Sequence, residues 1–320
     1  MPLYRTFATQ EEIDREYDVE QMVPDFRIFA RQFIEGSARA RAELAIRPDV
    51  RFGPTLDEYV DLFLPVRKAA PIFVFIHGGY WRMLSAKEFG LVAPGPVARG
   101  FAVAVSNYAL CPKVRIEEIT RQSRATIAWL YRHAREFDAD PERIFVAGHS
   151  AGGQQVGMLL ATDWAGEYGL PPDIIKGAIA ISGLFDLTPL RYSWLQPKLL
   201  LDHETIARQS PQFNLPRMAP PLILSVGEAE SAEFHRQSRS YMEAMRARGL
   251  RVEWLDQPGC NHFTAITGFA ERDSILCRAL GALADVPESA LDVRQAIAPL
   301  RDRPPANRLP PDFRTFGPVA

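Results

Sequence analysis

The chain has 320 residues, of which 47% are hydrophobic and 24% charged, and its formal net charge is −2. That length suits one large domain or two small ones, and the composition is ordinary for a globular protein. The near-neutral balance removes the electrostatic case for nucleic acid as a partner. Cys111, Cys260 and Cys277 are few and widely spaced, so they suggest neither a disulfide framework nor a Cys-x-x-Cys metal site, and a reducing compartment fits them.

The N-terminus, "MPLYRTFATQEEIDREYD", lacks an apolar stretch behind a basic start and is not read as a signal peptide. No apolar run approaches the roughly 18 residues of a membrane span. The expectation is a cytoplasmic protein with no membrane partner; self-association is left open. Residues 1–50 are polar, with Ile13, Tyr17, Met22, Phe26, Phe29 and Phe33 at loose helical spacing. They predict a helical segment packed on the core.

From residue 56 the texture changes. "LDEYVDLFLP" alternates like a half-buried strand. "PIFVFI", "GFAVAVSNY", "RIFVAG", "IKGAIAISG", "PPLILSVG" and "LRVEWLD" follow as short runs rich in Val, Ile and Phe, mostly bounded by Gly, Pro or Asn. Helical periodicity fills the gaps. Ile116, Ile119, Ser123, Ile127, Leu130, Ala134 and Phe137 form one pattern, and Phe234, Ser238, Tyr241 and Met245 another that Gly249 can close. A looser third runs through Ile266, Ala270, Leu276, Leu280 and Leu283. Apolar strands alternating with amphipathic helices predict an α/β fold, a mostly parallel central sheet with helices on both faces. Ligands then bind beyond the carboxyl ends of the strands. The expected division is 1–50, 51–285 and a Pro-rich extension at 286–320 with no assigned role.

"RIFVAGHSAGGQ" is a strand ending in Gly-x-Ser-x-Gly before a helix. Small residues around Ser150 let strand and helix approach, and the tight turn lifts the hydroxyl above the sheet. A serine needs a base oriented by a third group. His262 is the candidate base, in the loop "DQPGCNHF" after the last strand. His133, His203 and His235 fall within helical patterns, and His149 is expected to point away from the pocket. The acid should follow "PPLILSVG", where Glu228, Glu230 and Glu233 compete. Reach into the loop favours Glu230, Glu233 suits a helix start, and Asp256 is an outside candidate. The oxyanion formed in acyl transfer needs pre-aimed N–H donors. Ala151 supplies one, and the loop "HGGY" the others, with Gly79 and Tyr80 leading and Gly78 next. His77 is read as holding that loop by hydrogen bonds.

"HGGYW", "GHSAGG", "ISGLFDLTPL" and "EFHRQS" together resemble the arylformamidase (kynurenine formamidase) branch of the α/β-hydrolases, over roughly residues 1–285. They are also similar to the hormone-sensitive-lipase-like esterases, whose corresponding loop reads His-Gly-Gly-Gly. The resemblance implies an α/β-hydrolase catalytic domain and two-step hydrolysis on Ser150 without metal or cofactor. His262 would move the proton and Glu230 would stand where this branch usually has Asp. Gln154 is a further departure. Trp81, Tyr108, Phe185, Tyr192, Trp194 and Phe263 are candidates for an aromatic pocket, with Trp81, Phe185 and Phe263 preferred. The expected substrate is a small aryl formamide such as N-formylkynurenine. The alternatives are a carboxylesterase for small aromatic or short-acyl esters and a non-catalytic binding protein on the same fold.

Overall fold

The strands are β1 (Ile46–Arg51), β2 (Tyr59–Phe63), β3 (Ala70–Ile76), β4 (Ala102–Ser106), β5 (Ala139–His149), β6 (Ile175–Ile181), β7 (Leu222–Gly227) and β8 (Val252–Gln257). They belong to a computed structural model that describes residues 2–286. β3 is buried at every position. Its side chains alternate, with Ile72, Val74 and Ile76 entering one core and Phe73 and Phe75 the other. This is the period of two of a strand covered on both faces.

The strands form one sheet in the order β1-β2-β4-β3-β5-β6-β7-β8. β2 pairs antiparallel with β1 and β4, and the pairs from β4 onward are parallel. From β3 the chain goes to β4 on one side, and from β5 to β6 on the other. The carboxyl ends of β3 and β5 therefore flank the switch point, where such sheets bind ligands.

The helices are α1 (Gln10–Tyr17), α2 (Phe26–Glu43), α3 (Pro94–Ala98), α4 (Ile116–His133), α5 (Ala151–Leu160), α6 (Trp164–Tyr168), α7 (Gln196–Leu199), α8 (His203–Gln209), α9 (Ala232–Ala247) and α10 (Ile275–Leu283). α4, α5, α8 and α9 cover the face that receives Ile72 and Val74, through Ile127, Val156, Ile206 and Phe234. α2, α3 and α10 cover the other face through Phe33, Val97 and Leu280. Gly249, at φ 77, follows α9 in the left-handed conformation expected of a C′ glycine.

The sequence reading differs from the fold in three places. The N-terminal segment is two helices and a strand. The helical pattern breaks at residues 18–25, where Pro24 lies, and the boundary drawn at 50/51 falls inside β1. β1, "IRPDVR", has no apolar alternation and carries Pro48, which suits an edge strand. The loose pattern from Ile266 to Leu283 divides into a 3₁₀ segment, Thr264–Ala270, and α10, with Ser274 capping the latter. The Pro-rich extension, apart from Val286, lies outside the described residues.

Candidate active site

β5 runs straight into α5 through Ser150, which has φ 56 and ψ −116. A side chain there costs on the order of 1 kcal/mol or more. The turn is held by the Ser150 N–H, which donates to Ile181 O at 2.9 Å. It is also held by close packing: a Cβ on Gly152 would collide with the Ile76 carbonyl at the end of β3. Only glycine lets α5 start so near the sheet. Ser150 Oγ is buried and makes no hydrogen bond among the described residues.

His262 follows β8 and Glu230 follows β7. His262 Nδ1 and Glu230 Oε2 are 2.6 Å apart, with the carboxylate side chain fully buried and the imidazole 6% exposed. Glu230 Oε1 accepts from the Gly227 N–H at 2.7 Å and from Ser182 Oγ at 2.5 Å. Both carboxylate oxygens are thus engaged, which fixes the group and leaves His262 Nε2 as the ring nitrogen without a hydrogen-bond partner among the described residues. The competing acids are engaged elsewhere. Glu228 accepts from the Gly259 N–H, Glu233 pairs with Arg236 and Tyr17, and Asp256 accepts from Trp254 Nε1.

The loop after β3 has positive φ at three successive residues, 110 at Gly79, 49 at Tyr80 and 55 at Trp81. Gly79 takes its value freely, whereas the two aromatics need outside support. Tyr80 Oη donates to Tyr17 O at 2.5 Å, Trp81 Nε1 to Gln154 Oε1 at 3.1 Å, and the Cys111 N–H to Trp81 O at 2.8 Å. No protein group among the described residues accepts the N–H of Gly79 or Tyr80. His77 is buried, stacks on Tyr108 at 4.1 Å and donates Nδ1–H to Gly78 O at 2.7 Å. Burial pushes its pKa down to about 4.

Ser150, His262, Gly78, Gly79 and Tyr80 line one cavity of about 140 Å³. Val19, Phe26, Phe33 and Ile34, from the N-terminal segment, cover it. Phe263 also lines it and stacks on Phe29 of α2, with ring centroids 5.2 Å apart. The α5 N-terminus at Ala151 adjoins Ser150, so the helix dipole points at the same place.

Three expectations are corrected. His149 does not point away. It lines the cavity with its ring 4.5 Å from that of His262, because it continues the β5 alternation of Phe145 and Ala147 toward the α2 face. Burial, then the neighbouring His262, hold its pKa well below the usual histidine value. Trp81 is fully buried and belongs to the core beneath the loop, its indole turned to Gln154. Phe185 is fully buried against Tyr241, with centroids 4.3 Å apart. Neither lines the cavity. Sequence reasoning missed Ser182, Arg82 and the cover from residues 18–34. The unpartnered run Phe26, Phe29, Phe33 was the available signal for the cover.

The fold and this arrangement define an α/β-hydrolase, a class the comparisons narrow. The chain belongs to the BD-FAE family, whose profile matches residues 60–245. It is 30% identical over 254 residues to kynurenine formamidase of Salmo salar, covering 77% of this chain and 84% of that protein. The Danio rerio kynurenine formamidase is 29% identical over 252 residues, with the same coverage. A crystal structure of a candidate thioesterase from Silicibacter sp. TM1040 superposes with a TM-score of 0.75 at 28% identity, covering 86% of this chain and 99% of that one. The protein is an arylformamidase-like hydrolase. Among the described residues no helix is long and apolar enough to cross a membrane.

Proposed function

We propose that the protein hydrolyses a small aryl formamide, of the N-formylkynurenine kind, through a formyl-enzyme on Ser150. The observation that carries the reading is the buried Glu230–His262 pair at 2.6 Å, opening onto the cavity that also holds Ser150 and the Gly78–Tyr80 loop. The kynurenine formamidase relatives support the formamide.

Ser150 Oγ attacks the formyl carbon while His262 Nε2 takes its proton. Glu230 accepts the Nδ1–H and stabilises the imidazolium. The carbonyl oxygen becomes an oxyanion, for which the N–H groups of Gly79, Tyr80 and Ala151 are the donors, with Gly78 next to them; losing one donor costs about 2.7–4 kcal/mol of barrier. His262 returns the proton to the departing arylamine nitrogen. Water then attacks the formyl-serine and gives its proton to His262; the tetrahedral intermediate collapses, His262 returns that proton to Ser150 Oγ as its bond to carbon breaks, and formate leaves. Ser150 Oγ has no hydrogen-bond partner among the described residues, and its bond to His262 is of the kind that tightens when substrate fills the site.

Parallel measurement of kcat/KM on N-formylkynurenine and p-nitrophenyl acetate tests the substrate. Turnover of the formamide with formate release is expected. Turnover of the ester alone would assign a carboxylesterase, and absence of a fluorophosphonate adduct on Ser150 would remove the serine mechanism.

A further inference from the structure

Arg82 follows the oxyanion loop directly and lines the cavity with Trp194. Its guanidinium carbon lies 4.7 Å above the Trp194 ring. Arg82 Nε and Trp194 Nε1 are both buried, and neither has a hydrogen-bond acceptor among the described residues. Arg82 forms no ion pair there either. The pairing is built, not incidental. Trp194 is fixed from two sides, by its backbone N–H donating to Asp14 Oδ1 at 2.8 Å and by edge-on contact of its ring with Tyr80 at 6.0 Å. A stacked guanidinium is restrained in the plane that suits carboxylate recognition, and a buried donor without an acceptor is costly until something supplies one.

We infer that Arg82 and Trp194 bind a carboxylate carried by the substrate, away from the carbonyl under attack. The same cavity is lined by Asp18 and Glu20. Gln21 engages Asp18 through Nε2 at 2.7 Å, and neither acid pairs with Arg82. One guanidinium and two separate carboxylates in one chamber suit the zwitterionic amino-acid end of the substrate proposed above, with Arg82 taking its carboxylate. Arg82 is thereby a specificity residue, set apart from the proton-moving groups. The inference rests on the reading of Ser150 as nucleophile, and its test separates the two.

The experiment compares N-formylkynurenine with N-formyl-2-aminoacetophenone, which keeps the aryl formamide and lacks the amino acid, on the wild type, Arg82→Gln, Arg82→Lys and Trp194→Phe. The wild type should favour the charged substrate. Arg82→Gln should lower that preference in kcat/KM by about tenfold or more, mainly through KM, as removal of a charge-assisted bond requires. Arg82→Lys should restore part of it, and Trp194→Phe should lower it less. A preference that is the same in all four proteins overturns the inference while leaving the hydrolase reading intact. In parallel, kynurenine and 2-aminoacetophenone are titrated into Ser150→Ala and Ser150→Ala/Arg82→Gln. Selective weakening of kynurenine supports the carboxylate site even if neither formamide is cleaved, an outcome that sinks the proposed reaction alone. Equal weakening of both ligands overturns the site.

Discussion

Glu230 illustrates how much a single carboxylate can be asked to do. Its two oxygens are shared among His262, Ser182 and the Gly227 N–H, so Glu230→Gln would place an amide donor against at least one existing donor. Under the proposed mechanism that mis-sets the imidazole, and kcat should fall by about 10⁴. Ser150→Ala and His262→Ala should each cost about 10⁶, and the double variant no more than either, because the set acts as a unit. Single-turnover kinetics on the four proteins would reveal any additivity, which would count against a triad. Trp81 makes the opposite point. With its indole buried and bonded to Gln154, Trp81→Phe should lower stability by about 1–2 kcal/mol and Tm by a few degrees, with KM within about twofold. Thermal melts showing no loss, beside a large KM change, would return the residue to the pocket.

At the level of elements, the N-terminal helices do two different jobs. α1 reaches the loop after β3, because Tyr80 Oη donates to the last carbonyl of the helix, Tyr17 O, and Tyr17 Oη in turn donates to Glu233 on α9. α2 is anchored by its far end, where Arg41 pairs at 3.0 Å with the fully buried Asp61, and lays its first turns over the cavity. Tyr80→Phe removes the tie between α1 and a loop whose backbone is strained. It should lower kcat by about tenfold or more through misplacement, while Tm moves by only a few degrees. Comparison of kcat and Tm in the same preparation decides it, since an equal loss of folded protein would explain the effect without the loop. The strands from "PIFVFI" to "PPLILSVG" were legible because each is a run of apolar residues between breakers, and "LRVEWLD" because its apolar residues are interleaved with charged ones at a half-exposed edge. β1 was not, because Arg47, Pro48 and Asp49 erase any period at an edge that needs only half a ladder. Gly-His-Ser-Ala-Gly and the loop carrying His262 were visible because turn chemistry is local. Trp81 and Phe185 were misplaced because which face a loop residue takes is set by partners far along the chain, Gln154 and Tyr241, whereas His149 was misplaced because it still belongs to β5 and keeps that strand's alternation.

For the whole molecule, the buried histidines link stability to acid. His77 has a folded pKa of about 4, lowered by burial from an unfolded value near 6.5. Between those values the unfolded chain holds the extra proton, so stability rises with pH across that window and is lost as pH falls through it. The loss is on the order of 3 kcal/mol by pH 4, and His149, shifted in the same direction, adds to it. Urea unfolding at pH 7, 6, 5 and 4 should show a steepening loss of stability, reduced in His77→Gln. A flat profile would mean that neither ring stays neutral in the fold. The covering side chains Val19, Phe26, Phe33 and Ile34 belong to a stretch that supplies none of Ser150, Glu230 or His262, while Gly78 and Gly79 line the same chamber from the loop after β3. Substitutions drifting through residues 18–34 would therefore reshape what the chamber admits while Ser150, Glu230 and His262 stay as they are.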